Sequence, residues 1–314
     1  MLSRILRVGS LLEIALAVVL VVWFIDSGMT VWIAIAIGVL LPLIVHAVPL
    51  GIEFITGALI DRRPIARLNP IDAVRVWLAE SWRSFVVFNV DQPWRARFPE
   101  PQIVNDSSRP AVLLLHGYMC NRAVWRLWLS NGMPARWNVA TINLEPVYAD
   151  VDAYAESIHQ SIEQLRASSG AQRVTLVCHS MGGLAARAYL RSKGHDAVAR
   201  VVTIDTPHHG TVFARFAHGA NTRQMRHSCE YVRRLAQLEE PVEFICFAGH
   251  HDNLVVPRES QVLACAEAIW FGRIGHIAMT GSDQVLAKLI EVVERPIAAH
   301  DTIDARSLKM NSAH

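Results

Sequence analysis

Charge of one sign is never in real excess in this chain. Over 314 residues, 30 Lys and Arg stand against 28 Asp and Glu, a formal net charge of +2. That balance gives no electrostatic footprint for nucleic acid. Paired cysteines are missing too. The five present (Cys120, Cys178, Cys229, Cys246 and Cys265) are odd in number, and no two stand as C-x-x-C. This speaks against a disulfide framework and against a Cys-based zinc site. Unpaired thiols suit a reducing compartment. Apolar residues, by contrast, are plentiful at 52%, and the excess is concentrated near the N-terminus.

Two apolar runs account for that excess. The first extends from Val8 to Ile25 and is interrupted by Glu13; the second extends from Val31 to Leu50 and carries Pro42, His46 and Pro49. Each approaches the ~20 residues a helix needs to cross the hydrocarbon core. The link between them, Asp26-Ser27-Gly28-Met29-Thr30, is a turn-like break that lacks any Lys or Arg. No small-residue cleavage site follows the first run, which disfavours a signal peptide. A two-helix membrane hairpin over residues 1–50 is the expectation. Arg4 and Arg7 precede it and Arg62, Arg63 and Arg67 follow it. By the positive-inside rule both ends face the cytoplasm, which places the bulk of the chain on the cytoplasmic side of the inner membrane.

Residues 51–108 read as a connector. Val74–Phe88, rich in Trp, Val and Phe, has helix-compatible spacing, and the proline-bearing stretch from Gln92 to Pro101 reads as extended. From residue 109 to 300 apolar strands alternate with helices. Strands are expected at Ala111–Leu115, Trp137–Asn143, Arg173–Cys178, Arg200–Ile204, Val242–Ala248 and Ala268–Arg273. Helices are expected at Val151–Ala167, Gly183–Arg191 and Ser282–Glu294. This is the pattern of an α/β fold with a mostly parallel sheet buried on both faces. Ligands on such sheets bind at the carboxyl ends of the strands. Residues 301–314 form a tail.

The segment Val174-Thr175-Leu176-Val177-Cys178-His179-Ser180-Met181-Gly182-Gly183 runs from a strand through a serine and small residues into a helix. A serine hydroxyl needs a base to take its proton and donors to hold the developing oxyanion. A sharp strand-to-helix turn exposes the serine oxygen and leaves the Met181 N–H at a helix N-terminus. His116-Gly117-Tyr118 follows the first strand, Ile274-Gly275-His276 follows the last, and both Asp205 and Asp252 end strands between.

On these residues the sequence resembles the α/β-hydrolase superfamily. Its G-x-S-x-G elbow stands here as C-H-S-M-G, with Cys178, the next size up, in place of the first glycine. Thr206-Pro207-His208-His209-Gly210-Thr211 resembles a signature of bacterial triacylglycerol lipases and related esterases. The loop Gly249-His250-His251-Asp252-Asn253-Leu254-Val255-Val256-Pro257 resembles their acid loop. The resemblance implies a triad of Ser180, Asp252 and His276, with Asp205 as the competing acid. It also implies an oxyanion hole from the Met181 and Tyr118 backbone N–H groups. In the family an insertion such as Val212–Leu238 forms a small cap or lid, expected here over about 212–240.

The resulting expectation is a membrane-anchored serine ester hydrolase acting on lipid or other acyl esters. It needs no cofactor and no metal. A zinc reading of His208, His209 and His218 is disfavoured because adjacent histidines share one metal poorly. A thioesterase or acyltransferase with the same triad, or an inactive membrane-tethered binding protein, are the competing functions. Oligomeric state is not legible.

Overall fold

A computed structural model describes residues 1–61, 63, 67–98, 100–236 and 242–296. Arg62 of the orientation argument, residues 237–240 at the end of the cap region, residues 297–300 and the tail 301–314 lie outside the described residues.

Both apolar runs are helices, α1 (Leu2–Asp26) and α2 (Val31–Ile60), separated by a tight turn. They are long and apolar enough to cross a bilayer. They pack closely: a Cβ at Gly38 would lie 2.3 Å from Val21 Cγ2. Pro42 and Pro49 are both inside α2, which continues past Leu50 to Ile60. Each proline removes an intrahelical donor, yet the helix carries on because its outer faces and neighbours support it.

α3 (Pro70–Val86) starts at Asn69, whose side chain accepts the Asp72 N–H, with Pro70 at the first helical position. It runs directly into a π-helical turn (Val87–Asp91) and a short helical turn (Gln92–Trp94). The expected extended stretch from Gln92 is therefore helical at its start. Three arginines converge on buried Asp91: Arg126 at 2.8 Å, Arg95 at 3.3 Å and Arg83 at 3.5 Å.

The remainder is built on six parallel strands: β1 (Ala111–Leu115), β2 (Asn138–Ile142), β3 (Val174–His179), β4 (Val198–Ile204), β5 (Glu243–Gly249) and β6 (Glu267–Phe271). Their order in the sheet is β2-β1-β3-β4-β5-β6. All five pairings are parallel, as the apolar runs predict. Side chains alternate faces along each strand. Leu113, Leu115, Leu176 and Cys178 enter one core, with the helices Ala155–Ser169 and Met181–Lys193. Val112, Leu114 and Val177 enter the other, with Trp125, Trp128, Trp137 and the helix Asp283–Glu294. Burial of these two layers is the main driving force for the fold.

The N-terminal elements are fastened to this body at named points. Arg258 donates to Asp61 Oδ2 (3.0 Å) and to the Asp252 carbonyl (3.0 Å). Burial opposes charge on Asp61, but hydrogen bonds from Arg63 and Arg258 outweigh it and hold the carboxyl well below its usual range.

Candidate functional site

Ser180 sits between β3 and the helix Met181–Lys193 with φ 54° and ψ −125°. This left-handed conformation is unfavourable for a residue with a Cβ and persists only where the surroundings enforce it. Ile204 O accepts the Ser180 N–H at 2.8 Å, and Thr206 Oγ1 donates to Ser180 O at 2.9 Å. The small residues around it are required by contact. A Cβ at Gly182 would lie 2.6 Å from Leu115 O, and one at Gly183 would lie 2.2 Å from Thr206 Oγ1. Cys178 needs no such allowance: its side chain is in the core beside Leu176.

Gly117 is pressed against the same turn, where a Cβ would lie 2.8 Å from Ser180 Cβ. That proximity brings Tyr118 to the same end of the sheet as Ser180, lining one cavity with Ser180 and His276. Met181 opens its helix, so its N–H has no intrahelical acceptor. His116 is structural: Nδ1 donates to Gly117 O (2.9 Å) and Nε2 accepts Leu144 N–H (2.9 Å). Burial pushes its pKa down to about 4.

His276 and Asp252 form a buried pair, with Nδ1 donating to Oδ2 at 2.8 Å. Asp252 Oδ1 accepts the Leu254 and Val255 N–H groups at 2.6 and 2.8 Å, which fixes the carboxylate. Burial disfavours the imidazolium, but the adjacent Asp252 carboxylate outweighs it, with help from Glu80, and lifts the His276 pKa above its ordinary value. Asp205 is farther away, 3.9 Å from Nδ1. Its Oδ1 accepts Gly249 N–H at 2.8 Å. Burial and the neighbouring Asp252 carboxylate push the Asp205 carboxyl well above the usual range. The geometry thus gives the close contact with His276 to Asp252 and leaves Asp205 as a more distant neighbour.

Three further side chains clamp the main chain of the histidine loop. Asn253 Oδ1 accepts the His276 N–H (3.1 Å), and His179 Nε2 donates to the His276 carbonyl (3.1 Å). Glu80, from α3, accepts the Ile277 and Ala278 N–H groups at 2.8 and 2.9 Å. Glu80 is completely buried. Burial pushes its carboxyl up, while the two N–H donors pull it back. Asn253 in turn donates to Glu53 Oε2 of α2 at 2.6 Å. None of these was read as a site residue. Asn253 and His179 stood inside the quoted acid-loop and serine-turn segments, and the signal for Glu80 was a lone carboxylate in the Trp- and Val-rich run Val74–Phe88.

The residues of the disfavoured zinc reading are separately engaged. His208 Nε2 meets Thr203 Oγ1 at 3.1 Å, His209 Nε2 meets Val262 O at 3.2 Å, and His218 O accepts the Tyr118 hydroxyl at 2.7 Å. Among the described residues, the one close His/Cys/Asp/Glu grouping is Asp205, Asp252 and His276 themselves. There Nδ1 is already committed to Asp252.

A cavity of about 510 Å³ opens over Ser180 and His276. Its far side comes from the cap region, where Phe213, Phe216 and Met225 line it. That region comprises a short 3-10 turn (Val212–Arg215) and the helices Ala220–Gln224 and Glu230–Ala236.

Comparison with known proteins gives a consistent likeness. The PGAP1-like alpha/beta domain family matches residues 148–266, a stretch that holds Ser180, Asp205 and Asp252. A triacylglycerol lipase of Pseudarthrobacter phenanthrenivorans is 43% identical over 61 residues, 19% of this chain and 19% of that protein. One from Burkholderia plantarii is 43% identical over 61 residues, 19% of this chain and 17% of that one. The chain thus spans about a fifth of the length of these curated relatives. Among solved structures, the mature lipase of Bacillus licheniformis superposes with TM-score 0.55 at 16% identity, covering 63% of this chain and 98% of that one. Lipase B of Aspergillus fumigatus gives 0.53 at 16% identity, covering 61% and 53%. These likenesses show the fold.

Proposed function

We propose, from the premise that the chain carries an α/β-hydrolase fold resembling bacterial lipases, that it is a membrane-anchored serine hydrolase of carboxylic esters. The observation that carries this is His276, paired with Asp252 at 2.8 Å, lining the same cavity as a serine held at φ 54°. In this reading Ser180 Oγ attacks the ester carbonyl carbon as its proton passes to His276 Nε2. The Asp252 carboxylate stabilises the imidazolium and fixes the tautomer. The Met181 and Tyr118 N–H groups receive the oxyanion. Collapse expels the alcohol, which takes the proton from His276, and leaves an acyl-serine. Water, deprotonated by His276, attacks that carbonyl and releases the acid and free Ser180.

The substrates are lipid or other acyl esters: the cavity lining is mainly apolar, and the relatives matched by sequence are triacylglycerol lipases. Residues 1–50 serve as the anchor and residues 109–300 as the catalytic body, with the connector 51–108 between them. The basic residues flanking the hairpin support a cytoplasmic location for the body.

The test is labelling with a fluorophosphonate, which reports a serine activated by its base. Labelling of the detergent-solubilised full chain, abolished in Ser180→Ala, is the expected result. A folded wild type that stays unlabelled contradicts the reading and favours an inactive binding protein.

A further inference from the structure

The cavity above Ser180 is not enclosed by the α/β body alone. Val45, His46, Pro49, Leu50 and Glu53, all from α2, line one side of it, opposite Phe213 and Phe216 of the cap region. The same helix presents a continuous apolar surface outside the cavity, including Ile44, Val48 and Ile52. Val45 lines the cavity, is 47% exposed and stands beside Ile44 of the outer band. The outer apolar band and the chamber of the nucleophile therefore meet along one helix.

The depth is informative. At ~1.5 Å per residue, Val45 lies about 21 Å and Leu50 about 28 Å along α2 from its start at Val31. The hydrocarbon core is ~30 Å thick. With Val31 at one edge of the hydrocarbon, the cavity-lining stretch Val45–Leu50 occupies the last third of the core, on the side of the catalytic body. That is a depth at which acyl chains lie, just inside the ester groups of a lipid. The helix is also registered against the chemistry. Glu53 accepts from Asn253, and Asn253 accepts the His276 N–H.

We infer that α2 is one wall of an acyl-chain site, and that long-chain esters reach Ser180 laterally from the bilayer through the opening at Val45. This rests on the ester-hydrolase reading and names its substrate class: long-chain acyl esters resident in the membrane. The acyl chain stays against Val45 and Leu50 while its carbonyl reaches Ser180. Phe216, 87% exposed in the absence of such a chain, closes over it from the opposite side.

The test uses the full chain in phosphatidylcholine nanodiscs. Two substrates share a leaving group: p-nitrophenyl palmitate, which partitions into the bilayer, and p-nitrophenyl acetate, which arrives from water. Val45→Trp obstructs the opening, whereas Val48→Trp places the same bulk on the helix outside the cavity. The palmitate-to-acetate ratio of kcat/KM is expected to fall by about tenfold or more in Val45→Trp and to hold in Val48→Trp. A phosphatidylcholine bearing a diazirine in its acyl chain supplies a readout independent of turnover. Its crosslinks are expected on residues 45–50 and 213–216. A ratio unchanged in Val45→Trp, or crosslinks absent from residues 213–216, overturns lateral entry even if acetate is hydrolysed. Crosslinks on residues 213–216 in a wild type that neither turns over acetate nor labels with fluorophosphonate, abolished by Val45→Trp, uphold the acyl site and remove the hydrolase reading instead.

Discussion

Glu80 is the residue whose removal is most informative. It lies in α3, outside the α/β body, yet both carboxylate oxygens are used by the histidine loop, at 2.8 and 2.9 Å. Glu80→Ala leaves the Ile277 and Ala278 N–H groups without this acceptor. An unsatisfied buried donor costs about 1–3 kcal/mol, so the pair costs about 2–6 kcal/mol. That is a large part of the about 5–15 kcal/mol by which domains are stable. Glu80→Gln retains one acceptor oxygen and turns an N–H₂ toward the other donor, so its cost is about 1–3 kcal/mol. The consequence for chemistry is larger than for folding. A shift of about 1 Å in the base costs about 100-fold in rate, and these two bonds hold the residues directly after His276. The assay is the fluorophosphonate labelling rate beside the melting temperature of the same full-length sample. Glu80→Gln is expected to label about 10–100-fold more slowly while losing only about 2–12 °C. Gly275 provides the cross-check. A Cβ there would lie 2.6 Å from Glu80 Oε2. Gly275→Ala is therefore damaging with Glu80 present and much less so in Glu80→Ala, with a coupling of about 0.5–3 kcal/mol in the cycle. Strict additivity, or wild-type labelling in Glu80→Ala, refutes the account of how the loop is held.

Two further predictions concern the acids. Because the Asp252 carboxylate lifts the His276 pKa, the neutral base needed for attack prevails only at higher pH. The labelling rate should rise with pH through a midpoint above the ordinary value of about 6.5. In Asp252→Asn the midpoint should move down and the plateau should fall by about 10⁴-fold; a pH-rate series on both proteins checks this, and an unmoved midpoint contradicts it. Asp205→Asn keeps the oxygen that accepts Gly249 N–H and leaves the 2.8 Å Asp252–His276 contact intact. It should slow labelling by less than about tenfold, and a loss equal to that of Asp252→Asn would make Asp205 the working acid.

The sheet was readable because each strand is a short apolar run that ends in a polar or glycine-containing turn. Ser180, Asp205, Asp252 and His276 stood out because they occupy those ends. Strand limits moved by one or two residues: β4 starts at Val198, two residues before Arg200, whose guanidinium pairs with Glu243 at 2.8 Å. Between the two acids the loop after Gly249 already favoured Asp252, and the distances agree: it lies at 2.8 Å from His276 Nδ1 and Asp205 at 3.9 Å. Glu80, Asn253, His179 and Glu53 were not read as site residues. Their role is to hold another residue's main chain or to brace the side chain that does, and periodicity carries no trace of a contact to a residue 197 positions away. Gln92–Trp94 was read as extended from its proline alone, whereas the π-turn before it delivers the chain already helical.

The distance in sequence between Glu80 and Ile277 also sets an order of events. At about 5–20 residues per second of synthesis, Glu80 is made about 10–40 s before the loop it holds. By then α1 and α2 are already made. The carboxylate is in place on α3 before β6 and the loop that carries His276 exist. Completion of the candidate site therefore falls to the last part of the chain, which must close onto a group from the first part. A chain shortened to begin after α3 loses the acceptor that the Ile277 and Ala278 N–H groups meet.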